Sequence, residues 1–306
     1  MTEPLTVLMA VRNGEPYLRT AVESILAQSY REFRFLIIDD ASTDRTRDIV
    51  RAYADSRIEL LALEQNVGQT AALNVGVRCS ASPWIARMDA DDYSAPTRLA
   101  AQMNALAHRP AVRCVGTGVW EFRDDPMVVD VAKTRPLDYA GIQRAALCGS
   151  GLIHGSIVIH RESLLDAGAY DERYRYASDR EMFIRFLNRY EAMNLAEPLF
   201  GIRRHPHQDS FSLRAADEYL EIFDRLIASG DYEPEEIGIL RESLAFSYLF
   251  RGRCFRAKGR YQDWCRDVAR AVRISPTLVA RHALGTLAVR VLPRRRHMTI
   301  RVGTNA

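Results

Sequence analysis

The sequence contains no CxxC pair, no Walker A loop and no GxGxxG fingerprint. Its five cysteines, at 79, 114, 148, 254 and 265, leave one over in any pairing, which argues against a zinc ribbon or disulfide framework and for reduced thiols used as core filler. The other two absences remove the backbone cradles that seat phosphates in P-loop and dinucleotide-binding proteins. No segment reaches the roughly 18 unbroken apolar residues that a spanning helix needs. The opening run "LTVLMAV" is too short for a secretory leader and reads as a strand, so a cytoplasmic location is expected. Charge of one sign is also lacking: Lys+Arg 42 against Asp+Glu 39 leaves a net +3, which gives no argument for nucleic acid.

What is present is alternation. The 306 residues, 47% hydrophobic, suffice for one large domain with an appendage. "LTVLMAV" ends at the turn signal "RNGEP", and Leu18, Ala21, Val22, Ile25 and Leu26 then form a helical stripe. "FRFLIIDD", "IELLAL", "WIARM" and "AVRCVGTGVW" read as further strands, separated by the helices "STDRTRDIVRAYA", "GQTAALNVGVRC" and "PTRLAAQMNALAH", the last opened by Pro96 in its first turn. Strands alternating with single helices predict a Rossmann-like, mainly parallel sheet with helices on both faces. Ligands of such sheets bind beyond the carboxyl ends of the strands. "RNGE", "DDASTD" and "DADD" all fall there.

The stretch "RMDADDYSAPTR" sets three carboxylates in four positions after an apolar run, and so calls for a positive partner. Asp89 and Asp91 are two apart, so in an extended loop both leave the same side of the backbone. Hard oxygen ligands of this kind suit Mg2+ or Mn2+ shared with phosphate oxygens. The plain alternative is a solvated turn in which Asp91 or Asp92 caps the next helix. The acids of "IIDD", at the end of the second strand, are placed to bond a nucleotide's ribose or base. With no glycine-rich nest for the diphosphate, a metal on "DADD" would take its place.

"TVLMAVRNGEPYLRTAVESILAQSYREFRFLIIDDASTDRTRDIV", "NVGQTAALNVGV" and "WIARMDADDYSAPTRLAAQ" resemble the family 2 inverting glycosyltransferases of the GT-A fold, in order and with matching spacing to about residue 122. A weaker likeness continues through "HGSIVIHRE", "SDREMFIRF" and "RRHPHQDS" to Ser212. The resemblance implies a catalytic domain over 1–212, with a nucleotide-binding half (1–122) and an acceptor-side half (123–212), followed by a helical region over 213–306. It implies that Ala10, Arg12 and Asp40 hold the nucleotide base, that Asp89 faces the ribose and that Asp91 coordinates Mn2+ or Mg2+. Asp179 stands at the family's catalytic base, although Ser178 precedes it where the family usually has Glu. His205 matches a histidine that approaches the diphosphate or metal, with His207 a competitor. His154 and Gly155 match a mobile acceptor-side segment. The implied partners are a nucleotide-sugar donor, UDP-linked by preference, and a glycan or lipid-linked acceptor. A helix N-terminus also favours negative charge at Asp179, as a proton acceptor requires; the plain alternative there is a helix cap. A nucleotidyltransferase and a catalytically silent sugar-nucleotide binder remain the alternatives. The first generally needs a glycine-rich basic loop where this chain has "AVRNGEP".

Trp84 and Trp120 are expected in packing, and "DDPMVVD" as an exposed loop and strand. Beyond Arg214 the chain reads as nearly all helix. Tyr248, Gly252, Phe255, Ala271 and Pro276 have the spacing of one helical-hairpin repeat, with Trp264 where that pattern wants a small residue. The tail from Ser275 joins an apolar helical face to Arg294, Arg295, Arg296 and His297, a combination expected to touch anionic membrane surfaces peripherally.

Overall fold

The computed structural model describes residues 4–149, 151–205 and 212–291. These divide into two compact units, one running to Ala146 and from Gly151 to His205, the other comprising Leu147–Gly149 and the helices from Leu213 onward.

In the first unit β1 (Leu5–Val11) is buried at all seven positions, as a strand covered on both faces must be. It pairs in parallel with β2 (Phe33–Asp39), and β2 with β3 (Ile58–Ala62). The crossover helices are α1 (Leu18–Leu26), which buries Leu18, Ala21, Val22 and Ile25, α2 (Thr46–Arg51) and α3 (Gln69–Cys79). On its other side β1 pairs in parallel with β4 (Trp84–Arg87). The carboxyl ends of these strands therefore share one edge, and the predicted polar clusters lie along it.

Beyond β4 the sheet becomes mixed. A two-residue strand β5 (Tyr93–Ser94), α4 (Arg98–His108), the long β6 (Val112–Phe122) and β7 (Val131–Lys133) come next. They are followed by α5 (Tyr139–Ala146), a single 3-10 turn at His154–Ser156, β8 (Val158–His160), α6 (Arg161–Asp166), α7 (Ser178–Leu187) and β9 (Glu191–Arg203). The order across the sheet is β3-β2-β1-β4-β8-β6-β9-β5, with β7 pairing antiparallel with the later part of β6, at Val119, Trp120 and Glu121. β8 runs antiparallel to both β4 and β6, whereas β6 and β9 are parallel.

Three local expectations need correction. Pro96 precedes α4, whose cap position is Thr97; its carbonyl instead accepts from the Ser29 N–H at 2.8 Å. The acid stretch is no free loop, because β5 pairs antiparallel with β9 directly after it. Within "DDPMVVD", Met127 and Val128 are exposed, but Val129 is buried with Trp120 and Phe122. Trp120 itself is fully buried, its Nε1 donating to the Pro126 carbonyl, and Trp84 packs edge-on against His160. All five cysteines are free, but only Cys114 is core filler; Cys79, Cys148 and Cys265 are exposed and Cys254 is half-buried.

The second unit is helical: α8 (Leu213–Ser229), α9 (Pro234–Ala257), α10 (Tyr261–Ile274) and α11 (Pro276–Val291). α8 stops at Gly230, which takes the left-handed conformation (φ 76°) that suits glycine. α9 starts with Pro234 and a reciprocal Glu233–Glu236 capping box. Gly252 gives close approach to Trp264, and Arg251 bonds bidentately to buried Asp267 at 2.7 and 2.8 Å, joining α9 to α10 as one hairpin. No helix among the described residues is long and apolar enough to cross a membrane. Arg294–His297 and His207 lie outside the described residues.

Candidate active site

At the ends of β1 and β2 two polar loops are laced together. Asn13 N–H donates to Ser42 Oγ at 2.9 Å, Gly14 N–H to Thr46 Oγ1 at 2.8 Å and Glu15 N–H to Asp44 Oδ2 at 3.0 Å. Ala10 is buried inside β1, and Arg12 stands exposed at the rim. The two acids of "IIDD" divide their work. Asp39 is wholly buried and paired with Arg47 at 2.5 Å. Asp40 accepts from Asn66 Nδ2 at 2.5 Å, Val67 N–H at 2.7 Å and Gly68 N–H at 2.9 Å. It thereby fixes the loop that enters α3, a task the sequence reading did not assign to it.

The acid loop finds its positive partners within the chain. Arg87, buried at the end of β4, pairs with Asp89 through Nη2 at 2.7 Å. Arg98, fully buried in the first turn of α4, donates from Nη1 to the carbonyls of Arg87 (3.1 Å) and Gly155 (3.0 Å). Burial, with Arg87 close by, pulls the Arg98 guanidinium down to about 9, so it stays charged at neutral pH. Arg203 on β9 donates its N–H to Asp92 at 2.9 Å and its Nε to the Asp91 carbonyl at 2.9 Å. Burial raises the Asp92 carboxyl well above the usual range, with Asp91 and Asp89 adding to the effect. Asp92 is therefore structural, and the two acids proposed for ligands face different ways.

Asp89 points to Arg87, while Asp91 Oδ2 lies 2.9 Å from His205 Nε2. The His205 ring packs on Tyr17, centroids 4.6 Å apart, and Tyr17 lies under the Arg203 guanidinium at 4.9 Å. Burial and neighbouring Asp89 raise the Asp91 carboxyl, while the His205 hydrogen bond works against them. Among the described residues no three His, Cys, Asp or Glu side chains gather closely enough to hold an ion alone. Carboxylate oxygen and imidazole nitrogen are donors that Mg2+ or Mn2+ accepts, and Asp91 and His205 are the pair here that could hold such an ion, with water and phosphate oxygens supplying its other ligands.

Across the site, the 3-10 turn brings His154 and Gly155 beside the acid loop. A Cβ on Gly155 would sit 2.8 Å from Asp89 Oδ2 and 2.6 Å from the Phe200 ring, so only glycine fits without displacement. His154 Nε2 lies 2.7 Å from the Tyr170 hydroxyl. Burial, assisted by Arg87, lowers the His154 imidazole to about 4, while Asp179 and Asp89 push it the other way. Asp179 is the second residue of α7; Ala177, not Asp179, occupies the cap position. Of the sequence-derived residues, Asp91 bonds to His205, Gly155 packs against Asp89, and His154 meets Phe183, one turn beyond Asp179 on α7. Ala10 lies two residues beyond Leu8, whose partner across the β1–β4 ladder is Arg87, and so stands level with the acid loop, while Arg12 is at the exposed rim. Arg87, Arg98, Arg203 and Tyr17 were missed. A signal for Arg87 existed, since an arginine ending an apolar strand must bury its charge against a carboxylate.

A mixed sheet with this order, carrying its acids beyond the strand ends, has the GT-A fold. The glycosyl transferase family 2 model matches residues 6–166, and the chain belongs to that family. It is 32% identical over 218 residues to EpsE of Bacillus subtilis (strain 168), which carries a glycosyltransferase name; the match covers 69% of this chain and 76% of EpsE. Among solved structures, S. aureus TarS 1-349 in complex with UDP-GlcNAc superposes with a TM-score of 0.67 at 19% identity, covering 92% of this chain and 83% of that one. The mannosyltransferase PcManGT from Pyrobaculum calidifontis, in complex with GDP-Man and Mn2+, gives 0.62 at 20% identity, covering 95% and 81%.

Proposed function

We propose that this glycosyltransferase transfers a sugar with inversion from a nucleoside-diphosphate donor, UDP-linked by preference, to a hydroxyl of a glycan or lipid-linked acceptor in polysaccharide or glycoconjugate synthesis. The observation that carries this reading is that one short turn touches both sides: Gly155 packs against Asp89, assigned to the donor, while the ring of His154 lies 6.1 Å from that of Phe183, one helical turn beyond Asp179 on α7. In this reading a donor acid and a proton acceptor border a common space. In this reading Ala10, Arg12 and Asp40 line the base end of the donor. Asp89, braced by Arg87, faces the ribose. Asp91 and His205 would hold Mn2+ or Mg2+, which when bound offsets the charge on the departing diphosphate.

Asp179 takes the proton of the acceptor hydroxyl as that oxygen bonds to the anomeric carbon. The bond from that carbon to the diphosphate oxygen breaks on the opposite face, and the electron pair leaves with the nucleotide. Displacement from the rear inverts the centre, and its oxocarbenium character needs a base on one side and charge neutralisation on the other. In this reading His154, held neutral by burial, adds no positive charge on the acceptor side, and Gly155 leaves room beside Asp89. The basic C-terminal tail is proposed to meet the cytoplasmic membrane face where lipid-linked acceptors lie.

The test is Asp179→Asn. Turnover should fall about 10²- to 10⁴-fold, the usual worth of a general base, while donor affinity stays near wild type. Near-normal turnover would remove Asp179 from the base role, and an equal loss of donor affinity would move it into the donor site.

A further inference from the structure

Helix α7 starts with Ala177 at its cap position and no side-chain cap bond. The Asp179 carboxylate accepts from the Arg180 N–H at 2.8 Å, and a further hold reaches this turn from another element. The hold comes from α3. The Thr70 hydroxyl donates to the Tyr174 carbonyl at 2.8 Å and lies 3.1 Å from the Ser178 hydroxyl. Four residues on, and so on the same face of the helix, Asn74 grips both backbone groups of Tyr170. Its Nδ2 donates to the Tyr170 carbonyl at 2.8 Å, and its Oδ1 accepts from the Tyr170 N–H at 3.1 Å. Nδ2 also donates to the Glu172 carboxylate at 2.8 Å. Thr70, Asn74, Tyr170, Tyr174 and Ser178 are all buried, so these bonds face little competition from water.

The same helix is tied at its entry to the donor side, through Asp40 on Asn66, Val67 and Gly68. Tyr170, at the far end of the strap, sets its hydroxyl on His154. One rigid element thus spans from the acid assigned to the nucleotide base to the turn that presents Asp179. Apolar packing is non-directional and would leave that turn free to slide. Hydrogen bonds to named backbone atoms fix its height, and a misplacement of about 1 Å can cost on the order of a hundredfold in rate.

We propose that Thr70 and Asn74 are positioning residues, which set the place of Asp179 relative to the donor through Tyr170, Tyr174 and Ser178 without touching substrate. The inference rests on the reading of Asp179 as the base.

Four variants test it: Thr70→Val, which keeps the shape and loses the hydroxyl, Thr70→Ser, which keeps the hydroxyl, Asp179→Asn, and the Thr70→Val/Asp179→Asn double variant. The probe reaction is release of nucleoside diphosphate to water from a panel of UDP-, GDP- and dTDP-linked sugars with Mn2+, alongside UDP affinity. Thr70→Val should lose about tenfold in rate or more with UDP affinity unchanged, and Thr70→Ser should recover most of the loss. The double variant should be no slower than Asp179→Asn alone, because both changes act on one group. Equal losses in the Val and Ser variants, additive losses in the double, or a parallel fall in UDP affinity would each overturn the proposal. A wild-type rate in Asp179→Asn removes the base reading and this inference with it. A wild-type rate in Thr70→Val beside a slow Asp179→Asn removes the inference alone. Amide exchange, which needs no substrate, should quicken over residues 170–180 in Thr70→Val while β1 and β2 stay protected; unchanged exchange there would also overturn it.

Discussion

Acidification from pH 7 to pH 4 is expected to act on the sheet-bearing unit through His154. The imidazole is lowered from 6.5 to about 4 by burial and by Arg87. Between those values the unfolded chain binds a proton that the folded chain refuses, so stability falls as pH drops through 6.5 and the loss levels off below about 4. That interval corresponds to at most about 3 kcal/mol, a large part of a typical domain's stability. Asp91 and Asp92 oppose it. Their raised carboxyls bind protons more readily folded than unfolded, so their contribution grows as pH falls. The His154 part is isolated by subtracting His154→Gln, which keeps a polar atom for Tyr170 and cannot take up the proton. The assay is urea unfolding at several pH values, followed by tryptophan fluorescence in a Trp264→Phe background so that Trp84 and Trp120 report. The stability difference between the two proteins should change by about 2–3 kcal/mol between pH 7 and pH 4, to the disadvantage of the histidine. In parallel, one histidine NMR signal should titrate near 4 and vanish in His154→Gln. A His154 signal titrating near 6.5, or a difference independent of pH, would refute the burial argument.

Gly155→Ala should weaken the site, since its methyl group meets Asp89 and the Phe200 ring; a loss of about 1–3 kcal/mol in stability with reduced nucleotide affinity is expected, read by thermal shift with and without UDP. Arg251→Met removes both bonds to buried Asp267 and leaves that carboxylate with Arg270 at 3.6 Å. The helical unit should lose about 1–3 kcal/mol, read as an earlier melting transition by circular dichroism, and no measurable loss would show the Arg251 bonds to be dispensable.

The early part of the chain was the more legible, and for a physical reason. β1, β2 and the crossover helices follow one another locally, so hydrophobic period and turn residues specify each element without reference to distant ones. β5 and β8 depend on partners far along the chain: Tyr93 finds Gly201 and Ile85 finds Ile159, and no local pattern announces either pairing. The candidate site divides in the same way. Asp89, Asp91 and Asp179 stand out as acids at element ends. That Arg203 would secure Asp92, or that Thr70 would reach Tyr174, is a fact of tertiary contact 111 and 104 residues away. Three crowded carboxylates call for a divalent cation, yet Arg87 already pairs with Asp89, and the Arg203 backbone N–H holds Asp92. Asp91 with His205 is what remains for an ion.

In the proposed reaction that pair would hold the metal that grips the donor's diphosphate. Isothermal titration of UDP into the full chain, in Mn2+ and in EDTA, tests it for wild type and Asp91→Asn. Wild type should bind at least about tenfold more tightly with Mn2+, a difference of about 1.4 kcal/mol, and Asp91→Asn should lose most of that gain while its melting temperature stays close to wild type. Equal affinity in metal and in chelator, or an Asp91→Asn variant that keeps the full metal effect, would contradict the account.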